Sequence, residues 1–271
     1  MKRETGVRRA SYPVHPESLP PGEIREEHYC VRFASSLDEL DAVLRLRYEV
    51  FNLELGEGLD VSHATGRDED EFDAACHHLL VIDDAHGGVV GTYRVQTAAM
   101  AARHRGFYSA GEFVLETLPD EIVDQAVEVG RACVSRPYRN RHVLFLLWKG
   151  LGAYLTWNRK RYLFGCCSLT SQDNAEGHRV LRHLEREGHV HPSLRVEARA
   201  GWECSGGWEG DPGEVVVPPL FKIYLRYGAK VCSPPVLDRF FKTIDFLVVL
   251  DVNGLEPDAY RTFLHSGGGS R

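Results

Sequence analysis

From residue 142 to 157 apolar side chains crowd a helical period over a run too long for a strand, which predicts a long apolar helix. The residues before it read as a strand and a turn: Val127, Val129 and Val134 suit a pleated surface, while Pro137 and Asn140 punctuate. Upstream, residues 28–34 form a first predicted strand. Ser35 or Ser36 can then cap a helix whose one face carries Leu37, Leu40, Val43, Leu44, Arg47, Val50 and Phe51. A polar stretch follows at residues 56–73, with Gly56, Gly58, Gly66 and an acidic run from 68 to 73; its length makes it either a functional loop or a disordered one. Residues 77–83 and 89–97 alternate as two strands around a turn at 84–88, a hairpin signal, and residues 98–120 look irregular. Beyond the long helix come a strand at 162–169, an amphipathic helix at 174–187 and a Gly-rich loop at 200–219. A short helix at 220–227 and strands at 231–233 and 243–251 complete the pattern. Residues 1–27, with four prolines among charges, are predicted to be a disordered lead-in and residues 266–271 a flexible tail. That leaves one mixed α/β (α+β) domain over residues 28–265.

Composition narrows the class. The chain has 271 residues, 43% hydrophobic and 26% charged, as a soluble globular protein would. A net charge of -7 argues against general nucleic-acid binding, although residues 136–161 hold a local basic patch. Seven cysteines without a C-x-x-C pair, two of them adjacent, read as reduced thiols in a cytoplasmic protein. No apolar h-region opens the chain, and no apolar run approaches the ~20 residues a membrane span needs.

The charges that interrupt apolar elements are the candidate chemistry. Glu128 and Arg131 lie inside the strand before the long helix, where charge is costly without work or a partner. Positions three apart face opposite sides of a regular strand, so both reach one site only through a bulge, for which Gly130 is the expected place. A strand-edge ion pair is the equally weighted alternative. Arg47 and Phe51 stand one turn apart on the apolar helix face; the arginine calls for a carboxylate, and Asp70 and Asp73 are candidates. Arg94 interrupts the second hairpin strand. A strand feeding a helix through a tight turn also aims backbone N–H groups at one point, an anion site on which Arg136, Arg139 and Arg141 sit. His63 with Asp68, and His78 with Asp83, match H-x-x-x-x-D but are expected by chance among thirteen histidines. The pairs His77/His78 and His189/His191 lack a third ligand, so no metal is expected. Cys133 and Cys166 read as core.

The segment from strand to long helix resembles the GNAT acetyltransferase fold, in which a bulged strand and a pyrophosphate loop hold a pantetheine thioester. More specifically, it is similar to the acyl-homoserine-lactone synthase branch and its relatives, the N-acyl amino acid synthases and the ornithine-lipid-forming N-acyltransferases. That pattern has an arginine and phenylalanine four apart (Arg47, Phe51), aspartates three apart (Asp70, Asp73), an arginine on the next hairpin (Arg94) and E-x-x-R on the bulged strand (Glu128, Arg131). The stretches LRYEVF at 46–51, GFYS at 106–109, YLFGC at 162–166 and PLFKIYLRYG at 219–228 place the ornithine-lipid group nearest. The resemblance covers roughly residues 31–250.

It implies a central twisted, mostly antiparallel sheet flanked by helices, with a bulged, splayed strand pair at the active site. It implies an N-acyltransferase that moves a fatty acyl or 3-hydroxyacyl group to an amino acid, ornithine being the best single expectation. Arg139 and Arg141 stand where acetyl-CoA users carry glycine, so the implied donor is the acyl-phosphopantetheine of acyl carrier protein rather than CoA, with no tightly bound cofactor. Glu128 is the expected general base, beside Arg131. Arg47, Phe51, Asp70, Asp73 and Arg94 are expected to bind the acceptor or to order the front loop. Arg136, Arg139, Arg141, His142 and Lys149, with Arg159 and Lys160, are expected to meet the donor phosphate or the acidic carrier. Expected partners are the carrier protein and a small amino acid, not nucleic acid, with peripheral membrane contact through a lipid product. An acetyl-CoA-dependent acetyltransferase, a signal synthase and an acyl-binding module that does no chemistry are the alternatives.

Overall fold

The computed structural model describes residues 12–264. Among these, nine strands make one sheet: β1 (Ile24–Glu26), β2 (Tyr29–Phe33), β3 (His77–Asp83), β4 (Val89–Thr97), β5 (Ala126–Val134), β6 (Tyr162–Leu169), β7 (Lys230–Val231), β8 (Val236–Asp238) and β9 (Thr243–Asp251). Their order is β1-β2-β3-β4-β5-β6-β9-β7, with β8 also on β9. Every pairing is antiparallel except that of β5 with β6, which the helix between them joins as a crossover.

The two faces of the sheet differ in kind. On the back face Leu79, Val81, Tyr93, Val95, Val127, Val129, Leu163, Val248 and Leu250 alternate inward and form the main core. They pack against α4 (Arg141–Asn158), capped by the Asn140 side chain, which accepts the Val143 N–H at 3.0 Å. Helix α7 (Pro257–Leu264) closes on α4 so tightly that a Cβ on Gly152 would lie 1.8 Å from the Phe263 carbonyl. On the front face the same alternation presents His78, Arg94, Gln96, Glu128, Cys166, Ser168 and Asp245. That face is covered by α1 (Leu37–Tyr48), which Ser36 caps by accepting the Glu39 N–H, and by a π-helical continuation at Glu49–Leu55. Loops from residues 56–73, 107–118 and 194–202 pack on the rest of it.

The ladder between β5 and β6 lasts three residues, from Ala126↔Tyr162 to Glu128↔Phe164; then the strands splay, as expected. Gly165 lies at the point of parting, where a Cβ would meet the Val129 carbonyl at 2.1 Å. A bulge sits beside it: Thr92 pairs with Cys133 and Arg94 with Gly130, which leaves an extra residue on β5. The bulge, expected at Gly130, falls one residue later, and its left-handed residue is Arg131 (φ 47). A non-glycine residue holds such a φ when its surroundings fix it. Here the Arg131 guanidinium is clamped between the rings of Tyr108 and Phe241, 4.7 and 4.3 Å from their centroids.

The expected lead-in is corrected over residues 12–27. Strand β1 pairs with β2, Trp157 Nε1 donates to the Glu17 carbonyl at 3.0 Å, and His77 Nε2 donates to the Val14 carbonyl at 2.6 Å. The expected tail at 266–271 lies outside the described residues. Within the stretch expected to be irregular α2 (Ala98–Arg103) forms, and α3 (Asp120–Asp124) starts at its end; α5 (Asn174–Arg186) and α6 (Pro219–Arg226) lie where periodicity placed them.

Candidate active site

Three guanidiniums and three carboxylates meet on the front face. Arg47, wholly buried, donates from Nε to Asp68 Oδ2 at 2.7 Å and from Nη1 to Asp73 Oδ1 at 2.6 Å. Arg94 donates from Nη1 to Asp70 Oδ1 at 2.6 Å and Asp73 Oδ1 at 2.9 Å, and Arg131 from Nη2 to Asp70 Oδ2 at 3.1 Å. Burial alone would push the Asp73 carboxyl up, but Arg47 and Arg94 hold it far below the usual carboxylate range. The polar stretch at 56–73 is therefore an ordered loop, pinned by its own acidic run. Of the two roles expected for Arg47, Asp70 and Asp73, their geometry serves loop ordering, and none of the three lines the cavity. Asp68, absent from the expected site residues, belongs to this network. Its motif partner His63 instead meets the Tyr48 hydroxyl, and His78 and Asp83 likewise serve separate partners.

A cavity of about 590 Å³ passes through the sheet at the splay. Its back half is apolar, walled by Leu147, Leu163, Phe221, Ile223, Val248 and Leu250, with Tyr93 and Tyr224 bonded hydroxyl to hydroxyl. Its front half is lined by Phe51, Arg94, Gln96, Tyr108, Glu128, Arg131, Cys166, Ser168 and Asp245. A volume of this size is that of a small-molecule site.

Glu128 stands at the vertex. Its Oε2 accepts the Tyr108 N–H at 2.8 Å, and its Oε1 accepts the Ser109 N–H at 2.8 Å and the Ser109 hydroxyl at 2.6 Å. Burial pushes its pKa up, and the Ser109 and Tyr108 bonds pull partly back. Three of the roughly four lone-pair positions of the carboxylate are thus filled, and the residue lines the cavity. Gln96, Tyr108, Glu57 and Asp245 were not among the expected site residues; Asp245 and Gln96 are polar side chains inside otherwise apolar strands, which is the one signal the sequence offered for them.

A GNAT acetyltransferase domain matches the chain over residues 46–149. An L-ornithine Nα-acyltransferase of Rhizobium meliloti (strain 1021) is 36% identical over 238 residues, covering 82% of this chain and 79% of its own. The protein of that name in Brucella abortus (strain 2308) is 32% identical over 241 residues, 82% of this chain and 84% of its own. The chain belongs to the L-ornithine Nα-acyltransferase family. It is an N-acyltransferase with a GNAT-type fold, as the sequence led us to expect. Among solved structures, the acyl-homoserine-lactone synthase LasI aligns over 90% of this chain and 98% of its own (TM-score 0.48, 12% identity). The N-acyl amino acid synthase FeeM from uncultured soil microbes aligns over 83% and 91% (TM-score 0.47, 10% identity).

In this acyltransferase only part of the expected donor set gathers at the cavity. Arg139 and Arg141 line its mouth. Arg139 is already held by Glu54, through Nη2 to Oε2 at 2.8 Å, whereas Arg141 has no ion-pair partner among the described residues. Arg136 is exposed on the same turn. His142 and Lys149 are corrected: seven residues apart on α4, they share the face toward β1 and β2. The His142 ring packs on Tyr29 at 5.4 Å, and Lys149 pairs with Glu26 at 2.7 Å. Arg159 and Lys160 lie at the other end of α4, ~27 Å from the turn at 1.5 Å per residue.

Proposed function

We propose that this acyltransferase moves a fatty acyl group from the phosphopantetheine thioester of acyl carrier protein to the α-amino group of ornithine. The observation that carries this is the cavity through the splayed sheet, apolar behind and polar in front. An acyl chain suits the back half between α4 and α6, and an amino acid suits the front half. The thioester carbonyl then falls at the splay, where the bulge leaves Arg131 and Ala132 without ladder partners and their backbone N–H groups can meet the oxyanion.

The acceptor's α-ammonium must lose a proton before it can attack. Glu128 takes it, directly or through one water, with a carboxyl whose pKa burial has moved toward neutrality. The amine adds to the thioester carbon, the oxyanion collapses, the C–S bond breaks, and the extra proton on the adduct nitrogen passes to the departing sulfur, which leaves as the thiol of the carrier. The first turn of α4 offers free N–H groups to the pantetheine phosphate. Arg136 and Arg141 are exposed there, where an acidic carrier would dock, and the exposed Leu55 of the π segment lines the same cavity as Arg141. Neither a metal nor a resident cofactor takes part in this scheme. The lipid amide product would bring the enzyme to a membrane surface; no helix of the described residues is long and apolar enough to cross one.

The test compares acyl-carrier, acyl-CoA and short acyl-pantetheine donors with ornithine as acceptor. The carrier donor is expected to be used best. Charge reversal at Arg136→Glu and Arg141→Glu should raise its KM at least ~10-fold, the equivalent of ~1.4 kcal/mol, and leave the short donor much less affected. Equal loss with all three donors would assign the turn to the thioester itself. Preference for acyl-CoA would contradict the carrier reading.

A further inference from the structure

Beside the front half of the cavity lies a second group of carboxylates, two of which line it, and this group has no counter-ions. Glu57, Glu112, Asp238 and Asp245 are all more than nine-tenths buried, yet no arginine or lysine pairs with any of them among the described residues. Asp238 is satisfied locally, its Oδ1 accepting the N–H groups of Phe240 and Phe241 at 2.8 Å each. Glu57 accepts the Thr170 hydroxyl, and Glu112 lies 3.6 Å from the Cys166 thiol. Asp245 Oδ1 has no hydrogen-bond partner, and neither does the amide oxygen or nitrogen of Gln96. Asp245, Glu57 and Gln96 all line the cavity.

Such an arrangement is costly when empty. A buried carboxylate without a cation or enough hydrogen-bond donors is costly in its charged form and tends to take up a proton. Burial and the neighbouring Asp245 and Asp238 push Glu112 well above its usual range; burial first, then Asp238, push Asp245 up to about 6. The pinned loop next door shows the contrast, since each aspartate there meets a guanidinium. What the second group lacks is a positive charge, and the cavity gives one a way in.

Its position along the sheet separates it from Glu128. Asp245 pairs in register with Ser168 of β6, four residues beyond Phe164, the partner of Glu128. The two carboxylates therefore address different ends of a bound molecule.

We infer that Asp245, with Glu57 and Glu112 around it, receives the side-chain ammonium of a diamino acid whose α-amine faces Glu128, and that this cluster sets the preference for a basic acceptor. Gln96, on the same face opposite Glu128, offers the acceptor one hydrogen-bond donor and one acceptor. The inference rests on the acyl-transfer reading above and assigns the part of it that selects the acceptor.

The experiment measures kcat/KM for ornithine and for norvaline, the same carbon chain without the terminal amine, at a saturating concentration of one acyl donor. The intact enzyme should prefer ornithine by ~10²-fold or more, the discrimination of a site built to bond a group the analogue lacks. In Asp245→Asn and in Glu57→Gln that preference should collapse by ~10-fold or more, chiefly through KM for ornithine. Because the readout is a ratio between two acceptors on one protein, loss of folded enzyme cannot mimic it. If Asp245→Asn does not fold, Glu57→Gln carries the test. Equal loss on both acceptors, or unchanged preference in folded variants, overturns the inference. So does an intact enzyme that acylates norvaline as well as ornithine, which would leave the acyl-transfer reading standing. An enzyme that acylates neither sinks that reading and the inference with it. Activity abolished by a chelator and restored by zinc would assign Glu112, Cys166 and Asp245, whose ligand atoms lie within 4.8 Å of one another, to a metal instead.

Discussion

Arg47→Leu should lower the stability of the folded protein by ~3–5 kcal/mol, the usual result of removing one partner from a buried ion pair. For a chain of this length that is on the order of 10 °C in Tm. The reason is the arithmetic of the loop network. Arg47 is wholly buried and holds both Asp68 and Asp73, so its loss takes a partner from two buried carboxylates. Arg94 and Arg131 remain but already serve Asp70 as well. The sign with pH follows from the depressed carboxyl of Asp73. Its stabilisation is present above the ordinary carboxylate range and is lost as pH falls, because protonating it costs the folded state its pairing. Arg47→Leu should therefore show a flatter dependence of Tm on acid than the parent. Thermal melts across an acid series check both statements; a change below ~1 kcal/mol would place the arginine among the surface pairs that contribute little.

What could be read from the sequence here depended on whether a residue's partner was implied by its own chemistry. A guanidinium on an apolar helix face demands a carboxylate, so Arg47 and Asp73 could be linked before the fold was known, whereas Asp70, the other candidate, meets Arg94 and Arg131 instead. Asp68 was hidden inside the same acidic run, since spacing alone does not say which of several aspartates turns inward. The splay was legible because Glu128 and Arg131 cannot share a face of an unbroken strand. The bulge fell on Arg131 because two rings and two carboxylates fix it, and those are tertiary contacts. Residues 12–27 carry no periodicity, and their order comes from bonds to α4 and β3 that no local pattern announces. His142 and Lys149 show the limit of reading charge along a helix: being near the turn in sequence says nothing about which face a side chain takes.

Glu128→Gln should lower kcat by ~10²–10⁴-fold, the range for losing a general base, with little change in donor affinity. The defect should shrink as pH rises, because more of the acceptor amine is then already neutral. Glu128 also holds the backbone of Tyr108 and Ser109, so the variant has a second possible effect. Ser109→Ala separates the two. It removes the 2.6 Å hydroxyl bond and should cost ~1 kcal/mol of stability, yet leave most of kcat. If Ser109→Ala loses as much turnover as Glu128→Gln, and neither recovers at high pH, the carboxylate positions the loop and does not move the proton. Melting temperature, donor affinity and the pH–rate profile of both variants decide.

The most direct measurement is the site of acylation on ornithine. Incubation with an acyl-carrier donor, followed by tandem mass spectrometry of the product, reads which nitrogen carries the amide. A cavity with Glu128 at the splay and an acidic cluster beyond it predicts the α-amide, with the side-chain amine free. A δ-amide, or no amide at all, would contradict it.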